Sequence, residues 1–220
     1  MNNELIKRVL TSIIISLFTF FFIIKGGIFF IIFLIFLFII SVSEWIKLCL
    51  NSFHIIFGIL FLIISFLSAF KLHDTNLGYF ILVILIAISS DIGGFVFGKI
   101  FKGPKLTRIS PNKTYAGSLG GYFLSLITGA IFIKISDLLT IIPFDNFSKK
   151  YFFFIVFVST INQLGDLTVS YFKRLKNISD TGNLLPGHGG LLDRIDGLIF
   201  VIPFSYIFYL FLLWKKELLF

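Results

Sequence analysis

Two acidic residues near the C-terminal end of the sequence have the spacing of a shared cation site. Asp193 and Asp196 are three positions apart, so in a helical segment both carboxylates would lie on one face. They follow a glycine-rich run at residues 186–190, which includes His188 and lets the backbone approach a ligand closely. Mg²⁺ prefers a few carboxylate oxygens together with waters and substrate phosphates. The pattern therefore indicates metal-assisted phosphoryl or nucleotidyl transfer.

Basic residues lie beside these acids and also in a second polar segment upstream. Lys173 and Arg174 offer a point charge and a forked set of donors to a phosphate group. Residues 98–114 contain five basic side chains and no acidic one, interspersed with turn-forming Gly and Pro. Exposed backbone N–H groups next to Lys and Arg form anion sites. We interpret this segment as a phosphate-binding loop, although a simple positive-inside anchor would carry the same charges.

Two further acids interrupt stretches that are otherwise apolar. Asp91 lies between two serines and two glycines, and Asp166 follows Asn162 and Gln163. A carboxylate within a membrane segment is costly unless it is paired or faces a wet cavity. Polar residues of this kind also serve purely as contacts between membrane helices. Because each aspartate leads into a basic loop, a functional role is the favoured interpretation.

The composition indicates that membrane helices position these groups. Of 220 residues, 57% are hydrophobic and only 14% are charged, and the mean hydropathy is +1.02. These values exclude a soluble enzyme, a nucleic-acid-binding domain and a disordered chain, and the continuous apolar runs exclude a transmembrane β-barrel. The predicted fold class is all-α, a polytopic integral membrane helical bundle of about seven transmembrane helices. The predicted spans are 9–24, 28–43, 53–70, 77–97, 115–135, 151–172 and 197–214.

Two features of this bundle depend on its loops. The first two spans are separated only by residues 25–27, so they form either a tight hairpin or one long helix plus a re-entrant piece. With the N-terminus in the cytoplasm, most of the 19 basic residues lie in cytoplasmic segments, as the positive-inside rule requires. Both polar segments, 98–114 and 173–196, then face the cytoplasm. The prediction divides the chain into N-terminal transmembrane helices (1–75) and a catalytic transmembrane region (76–220).

The second polar segment resembles the signature of the phosphatidate cytidylyltransferase (CDP-diacylglycerol synthase) family. That signature runs S-x-x-K-R-x4-K-D-x-G-x3-P-G-H-G-G-x-x-D-R-x-D, and residues 170–196 fill it except that Ser179 replaces the usual Lys. Residues 163–170, 91–99 and 110–114 are also similar to segments of that family. Many members carry Glu before the glycine at 117, where this chain has Ala116.

The resemblance implies that CTP and phosphatidate react to give CDP-diacylglycerol and pyrophosphate in a bacterial inner (cell) membrane, with Mg²⁺ as cofactor. It implies Asp166, Asp193 and Asp196 as metal ligands. The residues predicted to be catalytic are Asp166, Lys173, Arg174, Asp180, His188, Asp193, Arg194 and Asp196. The residues predicted to bind substrate are Asp91, Lys99, Ser110, Lys113, Thr114, Ser170, Gly187, Gly189 and Gly190.

Two other functions stay open on the sequence alone. A CTP-dependent lipid kinase of the polyprenol or phytol type would transfer the γ-phosphoryl group and release CDP. A cation-coupled membrane transporter would also use intramembrane aspartates, but the sequence contains no internal repeat of the kind typical of transporters. Membrane lipid is an expected partner and nucleic acid is not. A homodimer is a further state that the sequence leaves open.

Overall fold

The structure, a computed structural model, describes residues 3–138, 149–182, 184 and 189–217. Within these residues there are eight helices and no strand, apart from one isolated β-bridge between Lys105 and Thr114. The all-α prediction is therefore confirmed. The helices are α1 (Asn3–Lys25), α2 (Gly27–Leu48), α3 (Ser52–Thr75), α4 (Leu77–Phe101), α5 (Tyr115–Leu138), α6 (Lys149–Leu175), α7 (Leu192–Ile195) and α8 (Leu198–Glu217).

Five of the described helices, α2 to α6, are long and apolar enough to cross a membrane. They carry large exposed apolar side chains, for example Ile28, Phe57 and Leu119, which a bilayer would cover. In the described part of the chain the apolar stretches of the first and last long helices are shorter, Ile14–Lys25 and Leu198–Phe211. The polytopic membrane fold is confirmed, while the count of seven spans and the cytoplasmic N-terminus stay predictions.

The first two helices form a hairpin, which decides between the two arrangements that the sequence allowed. Gly26 and Gly27 have φ values of +62° and +54°, a backbone conformation that glycine adopts without strain. The chain reverses there, and the rings of Phe22 and Phe33 stack with centroids 5.0 Å apart. Helix α2 then continues to Leu48, past its predicted end at 43. This extension places further side chains of α2 at the end of the bundle that carries the polar loops.

Helices α4 and α5 form the most extensive helix pair among the described elements, and glycines line their contact. A Cβ atom added to Gly117 would lie 2.6 Å from the carbonyl oxygen of Gly94, and one added to Gly120 would lie 2.9 Å from that of Gly93. No real side chain fits at these distances. Small residues of this kind let membrane helices approach backbone to backbone, so the seam holds the two ends of the first polar loop together.

A proline inside α8 is accommodated by a serine of α3. Pro203 has no N–H, so the carbonyl oxygen of Ile199, four residues earlier, lacks its usual helical donor. The hydroxyl of Ser65 donates to that oxygen. Neighbouring helices commonly satisfy freed backbone groups in this way within membranes, and here the bond joins α3 to α8.

Polar side chains join α4, α5 and α6 where these helices pack. The hydroxyls of Ser90 and Ser159 are 2.9 Å apart, and the side chain of Ser118 donates to that of Gln163. A separate apolar cluster, which includes Trp45, Leu192 and Ile199, lies beneath the second polar loop. The loops are thus attached to a packed part of the bundle.

Candidate active site

The two polar loops meet at one end of the bundle, as the sequence predicted. Lys113, at the end of the first loop, forms an ion pair with Asp166 of α6. The guanidinium Nε of Arg174, in the last turn of α6, donates to the carbonyl oxygen of Ile109 at 3.3 Å. These contacts connect residues that are more than 50 positions apart in the chain. The candidate active site lies at this junction.

Residues 102–114 of the first polar loop form a compact turn in which the side chains of Lys102, Lys105 and Arg108 are exposed. Positive φ values at Lys102 and Gly103 end α4 and redirect the chain. The amide of Leu106 donates to the carbonyl oxygen of Lys113 at 2.8 Å, and the amide of Lys113 donates to that of Ser110 at 3.1 Å. The predicted turn around this Ser-Pro-Asn-Lys stretch is therefore present.

Two residues of this region that were predicted to bind substrate make local contacts. The hydroxyl oxygen of Thr114 accepts from the amide of Gly117 at 3.0 Å, which is the hydrogen bond of a helix N-cap. The ammonium group of Lys99 lies 5.8 Å from the ring centroid of Phe95, and its side chain is exposed. Thr114 thus starts α5, while Lys99 stays accessible to a ligand.

Asp166 and Asp91 occupy neighbouring helices beneath the loops. Besides its ion pair with Lys113, Asp166 accepts a hydrogen bond from Ser170 at 3.3 Å through its other oxygen, Oδ1. Asp91 Oδ1 accepts from the side-chain amide of Asn162 at 2.7 Å. Both acids that the sequence marked as out of place in a membrane segment therefore have polar partners, as the cost of an unpaired carboxylate requires.

Asp193 is the most heavily hydrogen-bonded acid of the second loop. Its Oδ1 accepts from Lys173 Nζ at 2.9 Å, and its Oδ2 accepts from the amide of Thr181 at 2.8 Å. The same Oδ2 also accepts from the Thr181 hydroxyl and the Gly190 amide, both at 3.0 Å. Burial alone would raise the pKa of Asp193, but these donors together hold that pKa below its usual value. Asp193 is an ionised anchor for the loop.

Asp196 has a different environment, although it lies only three residues further on. Its Oδ1 accepts from the amide of Gly197 at 2.9 Å. Burial raises the pKa of Asp196 well above its usual range, and the nearby Asp166 carboxylate raises it further. The segment is helical for one turn as predicted, yet the carboxylates of Asp193 and Asp196 have different neighbours.

The acids of this region differ in how well their surroundings suit a magnesium ion. Within the described residues no group of three or more acidic, histidine or cysteine side chains is disposed to hold a metal. Lys173 and the amides of Thr181 and Gly190 donate to the two oxygens of Asp193. The Asp166 carboxylate, by contrast, raises the pKa of Asp196, because two like charges oppose each other. A cation between two such carboxylates would relieve that repulsion. The carboxylate oxygens of Asp166 and Asp196 therefore suit Mg²⁺ better than those of Asp193. The Mg²⁺ cofactor itself stays a prediction.

The remaining predicted residues are an exposed acid, a glycine with positive φ, an exposed arginine and two positions outside the described part. Asp180 is exposed and accepts a hydrogen bond at 2.7 Å from Ser179, the residue that departs from the family signature. Gly189 has a φ of +81°, so a side chain there would strain the loop. Arg194 lies on α7 with its side chain exposed. Gly187 and His188 lie outside the described residues.

Sequence reasoning missed one buried acid, Glu44 of α2, which is only 4% exposed. Its Oε1 accepts from the amide of Leu191 at 2.9 Å, and its Oε2 accepts from the amide of Leu192 at 2.7 Å and from the Thr181 hydroxyl at 3.0 Å. The predicted second span ended at 43, which placed this residue in a loop. An acid directly after a long apolar run was the signal that could have identified it.

Comparison with known proteins identifies the family. A model described as the cytidylyltransferase family matches residues 50–212, which is most of the chain. The chain belongs to this family. The phosphatidate cytidylyltransferase of Rickettsia typhi is 37% identical over 172 residues, covering 73% of this chain and 72% of that protein. Its counterpart in Haemophilus influenzae is 40% identical over 146 residues, 64% of this chain and 49% of that protein. For Staphylococcus aureus strain COL the identity is 38% over 144 residues, 64% of this chain and 52% of that protein.

Membership of the cytidylyltransferase family confirms the resemblance and the enzyme class predicted from the sequence. The chain spans about half the length of the Haemophilus and Staphylococcus relatives. These relatives are bacterial, in line with a cytidylyltransferase of a bacterial membrane. The division at residues 75 and 76 stays a prediction, as does the homodimer. The matched region contains every residue predicted for the site, but it begins after Glu44.

Proposed function

We propose that this cytidylyltransferase transfers the cytidylyl group of CTP to phosphatidate, forming CDP-diacylglycerol and pyrophosphate. The observation that carries the proposal is the meeting of two cationic loops around Asp166, at one end of a membrane bundle, in a chain of this family. The names of the relatives support the same choice of substrates. A site at the end of the bundle suits both molecules, since a lipid approaches through the bilayer and CTP approaches from water.

The reaction requires charge control more than it requires a base. An oxygen of the phosphatidate phosphate, already ionised near neutral pH, forms a bond to the α-phosphorus of CTP. The bond from that phosphorus to the oxygen that bridges to the β-phosphorus breaks, and pyrophosphate leaves with the electron pair. The main barrier is the repulsion between two anions, which positively charged groups placed in advance reduce.

Three cations of the junction are suited to hold the phosphates. Lys113 and Lys173 are kept between the loops by their ion pairs with Asp166 and Asp193. Arg174 is exposed and uses Nε for its bond to Ile109, and a guanidinium has further N–H donors for phosphate oxygens. We assign these three side chains to binding the triphosphate and the lipid phosphate.

The cofactor assignment is Mg²⁺, with Asp166 and Asp196 as the residues that would hold it. When bound, the ion would neutralise phosphate charge and polarise the reacting phosphate. The side-chain amide of Asn162 orients the carboxylate of Asp91, on the neighbouring helix α4, through a 2.7 Å hydrogen bond. We place the site on the cytoplasmic face, because the basic loops favour that side and CTP is dissolved there.

The proposal is tested with the purified protein in lipid nanodiscs that contain phosphatidate, supplied with Mg²⁺ and CTP labelled at the α-phosphate. We expect labelled CDP-diacylglycerol in the lipid extract and none when diacylglycerol or a polyprenol replaces phosphatidate. Asp74→Asn, at an exposed acid in the last turn of α3, is the control and should keep full activity. Absence of labelled lipid with phosphatidate, in protein that is folded by its thermal melt, would contradict the proposal.

A further inference from the structure

We infer that Glu44 is a positioning residue for the transfer reaction, acting from α2 on the second polar loop. This role rests on the proposed function, because the loop carries Asp193 and Asp196. Glu44 lies before the region that matches the family, and no contact with a substrate is needed for it. Its effect would pass through the backbone of residues 190–192 and through Thr181.

Both oxygens of Glu44 are used to hold the loop. They accept from the successive amides of Leu191 and Leu192 and from the Thr181 hydroxyl, at distances between 2.7 and 3.0 Å. These two amides lie at the start of the one-turn helix α7, which contains Asp193. A buried carboxylate that accepts from two backbone amides and lies beside a hydroxyl shared with Asp193 is costly to replace, because the two amides would be left unpaired. Glu44 therefore fixes the start of α7 in place.

The loop is shaped to let Glu44 approach its backbone. A Cβ atom added to Gly190 would lie 2.6 Å from Glu44 Oε2, and one added to Gly182 would lie 2.8 Å from Glu44 Oε1. Gly190 was predicted to bind substrate, but in the structure it makes room for this carboxylate and donates its amide to Asp193. Two glycines of the signature thus have a structural reason that involves α2.

A chain of polar contacts leads from Glu44 to the proposed phosphate site. The Thr181 hydroxyl lies 3.0 Å from both Glu44 Oε2 and Asp193 Oδ2, and Asp193 Oδ1 is 2.9 Å from Lys173 Nζ. A displacement of Thr181 would therefore move the partner of Lys173. The end of α2 also contacts the residue that follows α6, because the ammonium group of Lys176 donates to the carbonyl oxygen of Lys47.

Apolar packing holds Glu44 and the loop together from below. Leu192 is fully buried in the apolar cluster that contains Trp45 and Leu48, which follow Glu44 on α2. Because Asp196 follows this anchored turn directly, its distance from Asp166 depends on the anchor. A shift of about 1 Å in a catalytic constellation can cost on the order of a hundredfold in rate. Loss of the Glu44 contacts should act at this scale.

The main test compares Glu44→Gln with Ser41→Ala in nanodiscs. The glutamine keeps the size of the side chain but presents an NH₂ group to a backbone N–H. Ser41 is also buried, one turn earlier, and among the described residues its side chain bonds within α2, to the carbonyl oxygen of Leu37. For Glu44→Gln we expect kcat to fall by roughly a hundredfold with the KM values for CTP and phosphatidate within about threefold. Ser41→Ala should resemble the wild type.

A second measurement reads the position of the loop without using activity. Hydrogen exchange followed by mass spectrometry should show faster exchange in residues 189–197 of Glu44→Gln, by about tenfold, with α4 and α5 unchanged. If the wild-type protein shows no cytidylyl transfer, the proposed function fails, and this measurement still decides whether Glu44 holds the loop.

Two further variants cover the case in which Glu44→Gln does not fold. Thr181→Val removes the hydroxyl between Glu44 and Asp193 but keeps the backbone N–H, so kcat should fall by about tenfold. Glu44→Asp keeps the charge and should recover part of the lost kcat. Wild-type kcat in folded Glu44→Gln, or in Thr181→Val where Glu44→Gln does not fold, would overturn the inference. Faster exchange throughout the protein would overturn it equally, because that result indicates a general loss of stability.

Discussion

The two polar loops are alike in composition and different in construction. Both are rich in charge, and both lie at the same end of the bundle. In the second loop, however, Lys173 bonds Asp193, Asp193 accepts from the loop backbone, and Glu44 of α2 accepts from the same backbone. In the first loop Lys102, Lys105 and Arg108 are exposed, and the loop is held by backbone turns and by the glycine seam beneath it.

The difference shows that charge density alone does not identify the groups that meet a ligand. Lys173 and Asp193 of the second loop help to fix its shape, so a change at either should alter geometry as well as binding. Exposed cations of the first loop are available to a phosphate, so their loss should mainly weaken binding. The following variants test that distinction.

The largest effect is expected for Asp166→Asn, which lies where the two loops meet. The variant removes the partner of Lys113 and one proposed metal ligand. We expect transfer activity to fall by a factor of about a thousand or more, measured as labelled CDP-diacylglycerol per unit of protein. Activity within tenfold of wild type would show that the junction of the loops is not the reaction site.

The next effect is expected for Lys173→Gln in the second loop. It leaves the nearly buried Asp193 carboxylate, whose side chain is 7% exposed, without its charged partner. Breaking a buried ion pair from one side costs about 3–5 kcal/mol, so we expect both a lower melting temperature and a loss of activity of roughly a hundredfold. A variant that loses phosphate binding alone, with an unchanged melt, would contradict the structural role of this pair.

A third variant tests the glycine seam that supports the first loop. A Cβ atom added to Gly93 would lie well within 3 Å of the Gly120 carbonyl oxygen, whereas one added to Gly94 has its nearest neighbour at 3.8 Å. Gly93→Ala should therefore destabilise the protein by about 1–3 kcal/mol, and Gly94→Ala should not. The single cysteine, Cys49, is buried and can report unfolding through a thiol-reactive dye. Equal melting temperatures for the two variants would show that the contact between α4 and α5 tolerates a side chain at position 93.

The sequence identified paired acids of the membrane helices where a residue violated its local pattern. Asp91 and Asp166 were identified because carboxylates are costly in apolar segments, and both prove to have polar partners. The same rule applies to Glu44, but the predicted second span ends at 43, whereas the helix continues to Leu48. Because the predicted helix ended too early, this buried acid was assigned to a loop.

Pairing between distant residues could not be predicted in this way. The contacts of Lys113 with Asp166 and of Lys173 with Asp193 depend on how α5, α6 and α7 pack, and spacing along the chain does not specify that packing. Thr114 illustrates a second limit, because a hydroxyl beside basic residues suits either a phosphate or a helix N-cap. Only the position of Gly117 decides between these uses.

The smallest effect is expected for Lys99→Gln at the start of the first loop region. Its ammonium group is exposed and contacts only the ring of Phe95 among the interactions described. An exposed charge contributes weakly, so we expect the KM for CTP to rise by about two- to threefold with kcat and the melting temperature unchanged. A fall in kcat instead would place Lys99 in the reaction itself and weaken the contrast between binding and shape.

The fate of each CTP phosphate tests the central claim most directly, namely that the meeting loops form a cytidylyl transfer site. Wild-type protein is supplied with phosphatidate, Mg²⁺ and CTP carrying distinguishable labels on the α- and γ-phosphates. We predict that the α-label appears in the lipid and the γ-label in pyrophosphate, in equal amounts, and that Asp166→Asn shows neither. A γ-label in the lipid together with released CDP would contradict cytidylyl transfer and identify the protein as a lipid kinase.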